Sequence, residues 1–279
     1  MKKIILPTDF SDNAYNAVRY AAKLFKDIET TFYLLNTYTP AVYQSEYILH
    51  SPAQIGLGDI YQENSLENLQ QVKEKIEDEF ENPMHTYMLH SAFNILLDEV
   101  LETIENENAD LVIMGTQGAT GAKEILFGTH TVHVIKKATC PVMAIPSGFE
   151  YEPIREILFP TDYEVDFKKQ QLQQLLDIAE INGGSIEVIH ASTGYELTED
   201  QMRNQKKLES IFSKVAHRSH DLPSQGVIEA INSFQLNKPV DLLAMVQNKH
   251  TFFERLFIEP IIKKIGFHVT IPFMVIPHR

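Results

Sequence analysis

The chain has 279 residues, 44% hydrophobic and 22% charged, the balance of a globular protein of about two domains. A formal net charge of −14 argues against general nucleic-acid binding, and no apolar run is long enough to span a membrane. The apolar start Ile4-Ile5-Leu6 is cut by Pro7-Thr8-Asp9 before a signal-peptide core can form. The single Cys140 allows no intrachain disulfide, so a cytoplasmic protein is expected. Charge is uneven: residues 1–150 carry 10 Lys+Arg against 21 Asp+Glu, and residues 151–279 carry 14 against 17. A polyphosphate held by so acidic a half needs backbone N–H groups and a divalent cation, since there is no basic patch to receive it.

In chain order, Lys3–Leu6 reads as a short apolar strand ending at Pro7-Thr8-Asp9. Ser11 or Asp12 then caps a helix running to about Phe25, with Ala14, Val18, Ala21, Ala22 and Phe25 at helical spacing. Thr31–Leu35 is the next strand. Residues 39–62 read as a long irregular connection rich in proline, glycine and aromatics. A charged amphipathic helix, Leu66–Phe80, follows. Thr86–Leu89 is a strand, and Ile95–Glu105 a helix with Ile95, Leu96, Val100 and Ile104 turned inward. The strand Leu111–Met114 leads into GTQGATGAKEILFGT, residues 115–129. A helix, Thr131–Lys137, and a last strand, Pro141–Ile145, complete the half. Strands alternating with helices imply a parallel sheet covered on both faces.

The glycines Gly115, Gly118 and Gly128 stand between a strand and a helix. Glycine lets a backbone approach a phosphate closely, and a helix starting at Gly128-Thr129 points free N–H groups and its positive end at an anion. A flexible loop with incidental glycines is the competing reading.

The second half repeats the first. Ile4–Phe10 matches Ile157–Tyr163, and Cys140–Pro146 matches Ile271–Pro277. The first match has an offset of 153 residues and the second 131, so the second copy mainly lacks the 39–62 connection. The boundary falls at Ser147–Pro153, giving domains 1–147 and 153–279. At the 131 offset Gly115 falls on Val246, Gly118 on Lys249, Gly128 on Glu259 and Thr129 on Pro260, while the apolar strand positions survive. The glycine loop is therefore expected to be a site and not a requirement of the fold.

The Pro7-Thr8-Asp9 strand end, the loop with its Gly-Thr ending and the Cys140-Pro141-Val142 strand together resemble a tandem universal stress protein, over nearly the whole chain. The resemblance implies two doubly wound α/β domains, each a five-stranded parallel sheet of order 3-2-1-4-5. It implies ATP or ADP with Mg²⁺ at the carboxyl ends of strands 1, 2 and 4 of the first half. Asp9 would meet the ribose or adenine end, with Pro7 and Thr8 shaping that wall and Asn36 beside the adenine. Met114 and Gly115 would contact the nucleoside. Gln117, Gly118, Gly128, Thr129, His130 and Thr131 would surround the phosphates. Three plainer readings stay open: Asp9 as a helix cap, Thr129 as a cap and His130 as a helix-surface residue. The second half keeps only Thr161-Asp162 of this pattern and is expected to bind no ATP. Its His250, Phe252, Phe253, Arg255 and Phe257 would make a packed surface or another pocket. His217 and His220 read as a polar strand end or, less simply, a zinc pair.

The function expected is a stress-response regulatory protein that binds ATP or ADP, signals to an unidentified protein partner and has at most slow hydrolysis. The loop lacks a Gly-Lys-Ser/Thr ending, and Lys123 suits an exposed loop as well as a phosphate. A non-nucleotide scaffold, with Tyr43, Tyr47, Ile48 and Tyr61 docking a partner, is the alternative. A nucleotidyl transferase would need a histidine motif after strand 1, which Pro7–Ser11 lacks. The last strands, Val142–Ile145 and Phe273–Ile276, are expected to pair within the chain as a pseudo-dimer, with a homodimer as a further option.

Overall fold

A computed structural model describes residues 1–38, 57–116, 128–192, 196–223, 226–247 and 270–278. Packing divides the chain into two units, Met1–Cys140 and Pro141–Arg279. The division falls ahead of the Ser147–Pro153 stretch that composition suggests, because the strand after Pro141 pairs within the second unit.

The first unit is built on β1 (Lys2–Pro7). This strand pairs in parallel with β2 (Thr30–Thr37), from Lys2↔Thr30 to Pro7↔Leu35. On its other side it pairs with β4 (Leu111–Gly115), at Ile4↔Leu111 and Ile5↔Val112. β3 (His85–Ala92) pairs with β2. The strands of the first half follow the expected order 3-2-1-4-5. Ile4, Ile5, Leu111 and Val112 have no exposed surface, the reason these strands read as unbroken apolar runs. Each such side chain contributes on the order of 2 kcal/mol of burial.

Helix α1 (Asp12–Leu24) starts where the sequence places it. Ser11 is the N-cap, its Oγ accepting from the Ala14 amide at 3.2 Å, and Ala14, Val18, Ala21, Ala22 and the C-cap Phe25 are buried. Helix α2 (Leu57–Glu79) is longer than expected and takes in Tyr61, correcting the irregular reading of the stretch before Leu66. Its buried stripe starts at Ser65 and continues through Leu69 and Ile76. A serine on that stripe hides the helical period from an apolar pattern. Tyr43, Tyr47 and Ile48 lie outside the described residues.

Helix α3 (Leu96–Glu107) buries Val100 and Ile104 as expected, but not Ile95. Ile95 is the N-cap, with extended backbone and 56% exposure, so its side chain leaves the helical face before the helix begins. Helix α4 (Thr129–Lys137) has Gly128 as N-cap and Lys136 and Lys137 in its last turn, where cations complement the helix dipole.

The second unit contains β5 (Val142–Ile145), β6 (Glu156–Pro160), α5 (Lys169–Asn182), β7 (Ser185–Ser192), α6 (Glu199–Phe212), β8 (Ala216–Pro223), α7 (Val227–Asn237), β9 (Leu242–Val246) and β10 (Phe273–Ile276). Its strands run β8-β7-β6-β9-β10, all parallel, again the order 3-2-1-4-5. β5 adds to β10 in antiparallel register, Met274 opposite Met143, so the expected pairing of the two last strands is present.

Registers repeat with the sequence. Ile4↔Leu111 and Pro7↔Leu35 in the first half become Ile157↔Leu242 and Pro160↔Ile189 in the second. His217 and His220 lie on strand β8, where His220 Nε2 meets Glu187 at 2.5 Å and the ring of His217 bonds the Val215 carbonyl. Among the described residues, no group of three or more His, Cys, Asp or Glu could hold a metal, and no helix is long and apolar enough to cross a membrane.

The two halves place opposite charges at equivalent points. In the first, Glu107 at the end of α3 accepts from Tyr33 at 2.6 Å and meets Lys3 Nζ at 3.4 Å. In the second, Lys238 after α7 donates to Glu156 at 2.8 Å and Glu187 at 2.7 Å. Burial pushes the Tyr33 hydroxyl up to about 12, helped by its bond to Glu107. Burial also pushes the Glu187 carboxyl up, but the bonds from Lys238 and His220 outweigh it and hold it below its ordinary value.

Gly115 ends β4 beside the first turn of α1. A Cβ there would overlap the Asn13 side-chain amide and lie 3.2 Å from the Asn13 carbonyl oxygen. The second half has Val246 at this place, and its first helix begins later: α5 starts at Lys169, seven residues after Asp162, whereas α1 starts three residues after Asp9.

Two outcomes are expected. Lys238→Met leaves the 2%-exposed Glu187 short of its cation and destabilises the protein by about 3 kcal/mol at pH 7, measured by urea unfolding. Glu187 has a depressed folded pKa, so its contribution is present above the ordinary carboxylate value of 4.5 and fades as pH falls below it. The difference between variant and wild type therefore shrinks in acid. Gly115→Ala forces α1 away from β4 and costs about 2 kcal/mol, read as a lower melting temperature.

Candidate functional site

The carboxyl ends of β1 and β4 are held by a set of backbone and side-chain bonds. The Thr8 amide donates to the Leu35 carbonyl at 2.8 Å, extending the β1–β2 ladder by one residue. Thr8 is buried, and its Oγ1 accepts from the Phe10 amide at 3.0 Å. Phe10 has φ 64°, the left-handed region that non-glycine residues rarely adopt. The chain therefore turns sharply after Thr8 and presents Asp9 at the surface. Asp9 Oδ1 accepts from the Ser11 amide at 3.1 Å and the Ser11 hydroxyl at 2.6 Å. The cap is Ser11; Asp9 braces it.

On the β2 side, Asn36 is buried, and its Nδ2 donates to the Thr8 carbonyl at 2.7 Å. Its Oδ1 accepts from Ser65 Oγ at 2.8 Å, and Ser65 Oγ in turn accepts from Ser91 Oγ at 2.8 Å. Neither serine stands out in the sequence by motif. The signals that could find them are the break in the apolar stripe of α2 and the alignment of Ser91 with Asn36 across β2 and β3.

On the β4 side, Met114 and Gly115 are buried at the strand end. Thr131 Oγ1 donates to the Gly115 carbonyl at 2.9 Å from a buried position, fastening the first turn of α4 to β4. Its hydroxyl is committed to the backbone. The Gly128 amide donates to the Thr116 carbonyl, which closes the base of the loop. Gly128 caps α4 with no side-chain bond, and Thr129 and His130 are exposed on its first turn. Thr129 is the first helical residue and not the cap. The structure thus gathers Pro7, Thr8, Asp9 and Asn36 on one wall, and Met114, Gly115, Gly128, Thr129, His130 and Thr131 on the β4–α4 wall. Gln117, Gly118 and Lys123 lie outside the described residues.

The second half repeats the β1 turn. The Tyr163 amide donates to Thr161 Oγ1 at 3.0 Å, Tyr163 has φ 57°, and the Glu164 amide donates to Asp162 Oδ1 at 3.0 Å. His190 stands where the first half has Asn36, its Nδ1 bonding the Thr161 carbonyl at 3.1 Å. The Tyr163 ring is buried against His190, with centroids 5.1 Å apart. Helix α6 reaches the turn directly: Gln201 Nε2 donates to the Asp162 carbonyl at 3.0 Å and Asn204 Nδ2 to the Tyr163 carbonyl at 2.9 Å. Burial pushes the Asp162 carboxyl above its ordinary value. His250, Phe252, Phe253, Arg255, Phe257, Lys249, Glu259 and Pro260 lie outside the described residues.

The model of the Universal stress protein family matches residues 1–146. Universal stress protein MJ0531 of Methanocaldococcus jannaschii is 31% identical over 153 residues, 52% of this chain and 81% of that protein. Universal stress protein MJ0577 of the same organism is 30% identical over 156 residues, 52% of this chain and 94% of that protein. Among solved structures, a universal stress protein from Archaeoglobus fulgidus superposes over 99% of this chain and 96% of its own, with a TM-score of 0.68 at 18% identity, a likeness of fold. With that fold over both halves and the family's sequence pattern over the first, this chain belongs to the universal stress protein family.

Proposed function

We propose that the first half of this protein binds ATP or ADP with Mg²⁺ in the crevice between the ends of β1 and β4, and that the second half is a universal-stress-protein-like domain without that site. The observation that carries this reading is the cap of α4. Gly128 caps that helix with no side-chain bond. The first-turn amides of a helix, with its dipole, favour a phosphate.

The residues fit a nucleotide in outline. The Thr8-Asp9 turn and Asn36 form a polar wall suited to a nucleoside, and Asp9 is exposed to meet a ribose hydroxyl. The α4 start, Thr129 and His130, with Gln117 and Gly118 from the loop, would take the phosphates. A bound Mg²⁺ would neutralise phosphate charge in this acidic half and would be held chiefly by the phosphates and water. The protein binds, and hydrolysis, where it occurs, is slow. Nucleotide occupancy would alter the surface offered to a cytoplasmic partner, which is the regulatory role. In the second half, buried Tyr163 and the bonds from Gln201 and Asn204 hold the turn against α6. That arrangement favours a structural mate over a second site.

Gly128→Glu copies the residue that the second half has at this point. Gly128 has φ −60° and ψ 152°, open to any residue, and a carboxylate is tolerated at a helix start. The variant is expected to melt like wild type while binding ATP with Mg²⁺ at least about tenfold more weakly by calorimetric titration. A wild-type protein that carries no nucleotide after purification and gives no binding heat with ATP and Mg²⁺ would sink the reading, leaving the scaffold alternative.

A further inference from the structure

Ser65 is a buried hydroxyl on a stripe of α2 that is otherwise apolar where it packs down, with Leu69 one turn on and Ile76 beyond. A serine there gives up the burial energy an alanine or leucine would supply, so its hydrogen bonds are what it contributes. They run in one direction. Ser91 Oγ donates to Ser65 Oγ, Ser65 Oγ donates to Asn36 Oδ1, and Asn36 Nδ2 donates to the Thr8 carbonyl. By occupying Oδ1, Ser65 turns the Asn36 amide so that its N–H side faces β1. The relay joins α2, β3, β2 and the turn after β1.

We propose that Ser65 is a positioning residue for nucleoside recognition, setting through Asn36 the Thr8-Asp9 wall, and that it couples helix α2 to occupancy of the crevice. This rests on the ATP-binding reading above. The other end of α2 is tied elsewhere: Glu79 accepts from Tyr15 at 2.8 Å and Arg19 at 2.6 Å, and Lys75 lies 3.8 Å from the centre of the Tyr15 ring. The helix is thus fixed to α1 near its carboxyl end and to the crevice wall through Ser65.

The second half supports the assignment by contrast. There α6 bonds the carbonyls of Asp162 and Tyr163 directly, and His190 takes the Asn36 place. The helix grips the turn itself. In the first half the link ends one residue earlier, at Thr8, and passes through a side chain on the strand.

The test is calorimetric titration of wild type, Ser65→Ala, Asn36→Leu and the double variant with two ligands in Mg²⁺, ATP and inorganic tripolyphosphate. Alanine suits a helix interior, so the single Ser65 variant retains the fold. It is expected to bind ATP about fivefold more weakly, the worth of one hydrogen bond, with tripolyphosphate binding unchanged. In the double variant the serine substitution should add nothing once Asn36 is gone. Equal loss for both ligands would mean a general structural disturbance, and unchanged ATP affinity would mean no positioning role; either overturns the inference while the ATP-binding reading stands. Wild type that rejects ATP overturns both.

Discussion

Strand β1 is hydrogen-bonded on both sides, to β2 through its whole length and to β4 at Ile4 and Ile5, and the fold depends on that double pairing. The chain leaves β1 toward β2 by way of α1 and α2 follows β2, while β4 arrives on the other flank after α3. At the carboxyl end of β1 the strand order reverses, with β2 on one flank and β4 on the other, the place where open α/β sheets bind ligands. The Thr8 amide makes one last bond to Leu35, and then Phe10, with positive φ, forces the chain out of the sheet. The β1 side of the proposed site hangs on those few residues. The same turn, with the same bonds and the same backbone strain, stands at Thr161–Tyr163 in the half without the glycine loop. The turn is therefore a property of the scaffold, and the proposed site is what the first half would add to it.

Much of this is legible in the sequence because buried parallel strands are apolar without interruption and helices carry a clean stripe. The repeat at offsets of 153 and 131 survives in the registers residue by residue. Other parts were concealed for definite reasons. The start of α2 is hidden because a hydrogen-bonded serine occupies a seam position. Ile95 keeps the helical spacing of an inward residue, yet it is a cap and the helix turns only after it. Asp9 could be read as a cap, and the structure gives that task to Ser11. Sequence spacing cannot separate these two, since both residues lie within one turn of the helix start. The bond from Thr131 to the Gly115 carbonyl, which fastens rather than binds, joins residues 16 apart and has no local signature.

The loss of Gly115 in the second half takes on a second meaning. Its replacement by Val246 looked like loss of a phosphate loop alone. Gly115 also permits the close approach of Asn13, and α5 starts four residues later, relative to its turn, than α1 does. Glycine at the end of β4 and an early helix start belong together on packing grounds. That leaves Gly128 as the more discriminating residue, because its φ and ψ are open to any residue.

The two halves face the same geometric tasks, and they meet them with different chemistry. Where the first half joins helix to strands with a carboxylate, Glu107 against Lys3 and Tyr33, the second uses an ammonium, Lys238 against Glu156 and Glu187. Changing Glu107 or Lys238 to its counterpart would put like charges together, Lys against Lys3 or Glu against Glu156 and Glu187, so neither can be exchanged alone. The tether at the strand end follows the same logic. A direct grip by Gln201 and Asn204 fixes the second turn in place, whereas a relay through Ser65 and Asn36 supports the first turn from beneath and leaves its outer face to Asp9. A scaffold that needs only stability is served by the direct grip. One that must also receive a ligand at the turn gains from support that comes through the strand beneath it, and the first half has that arrangement.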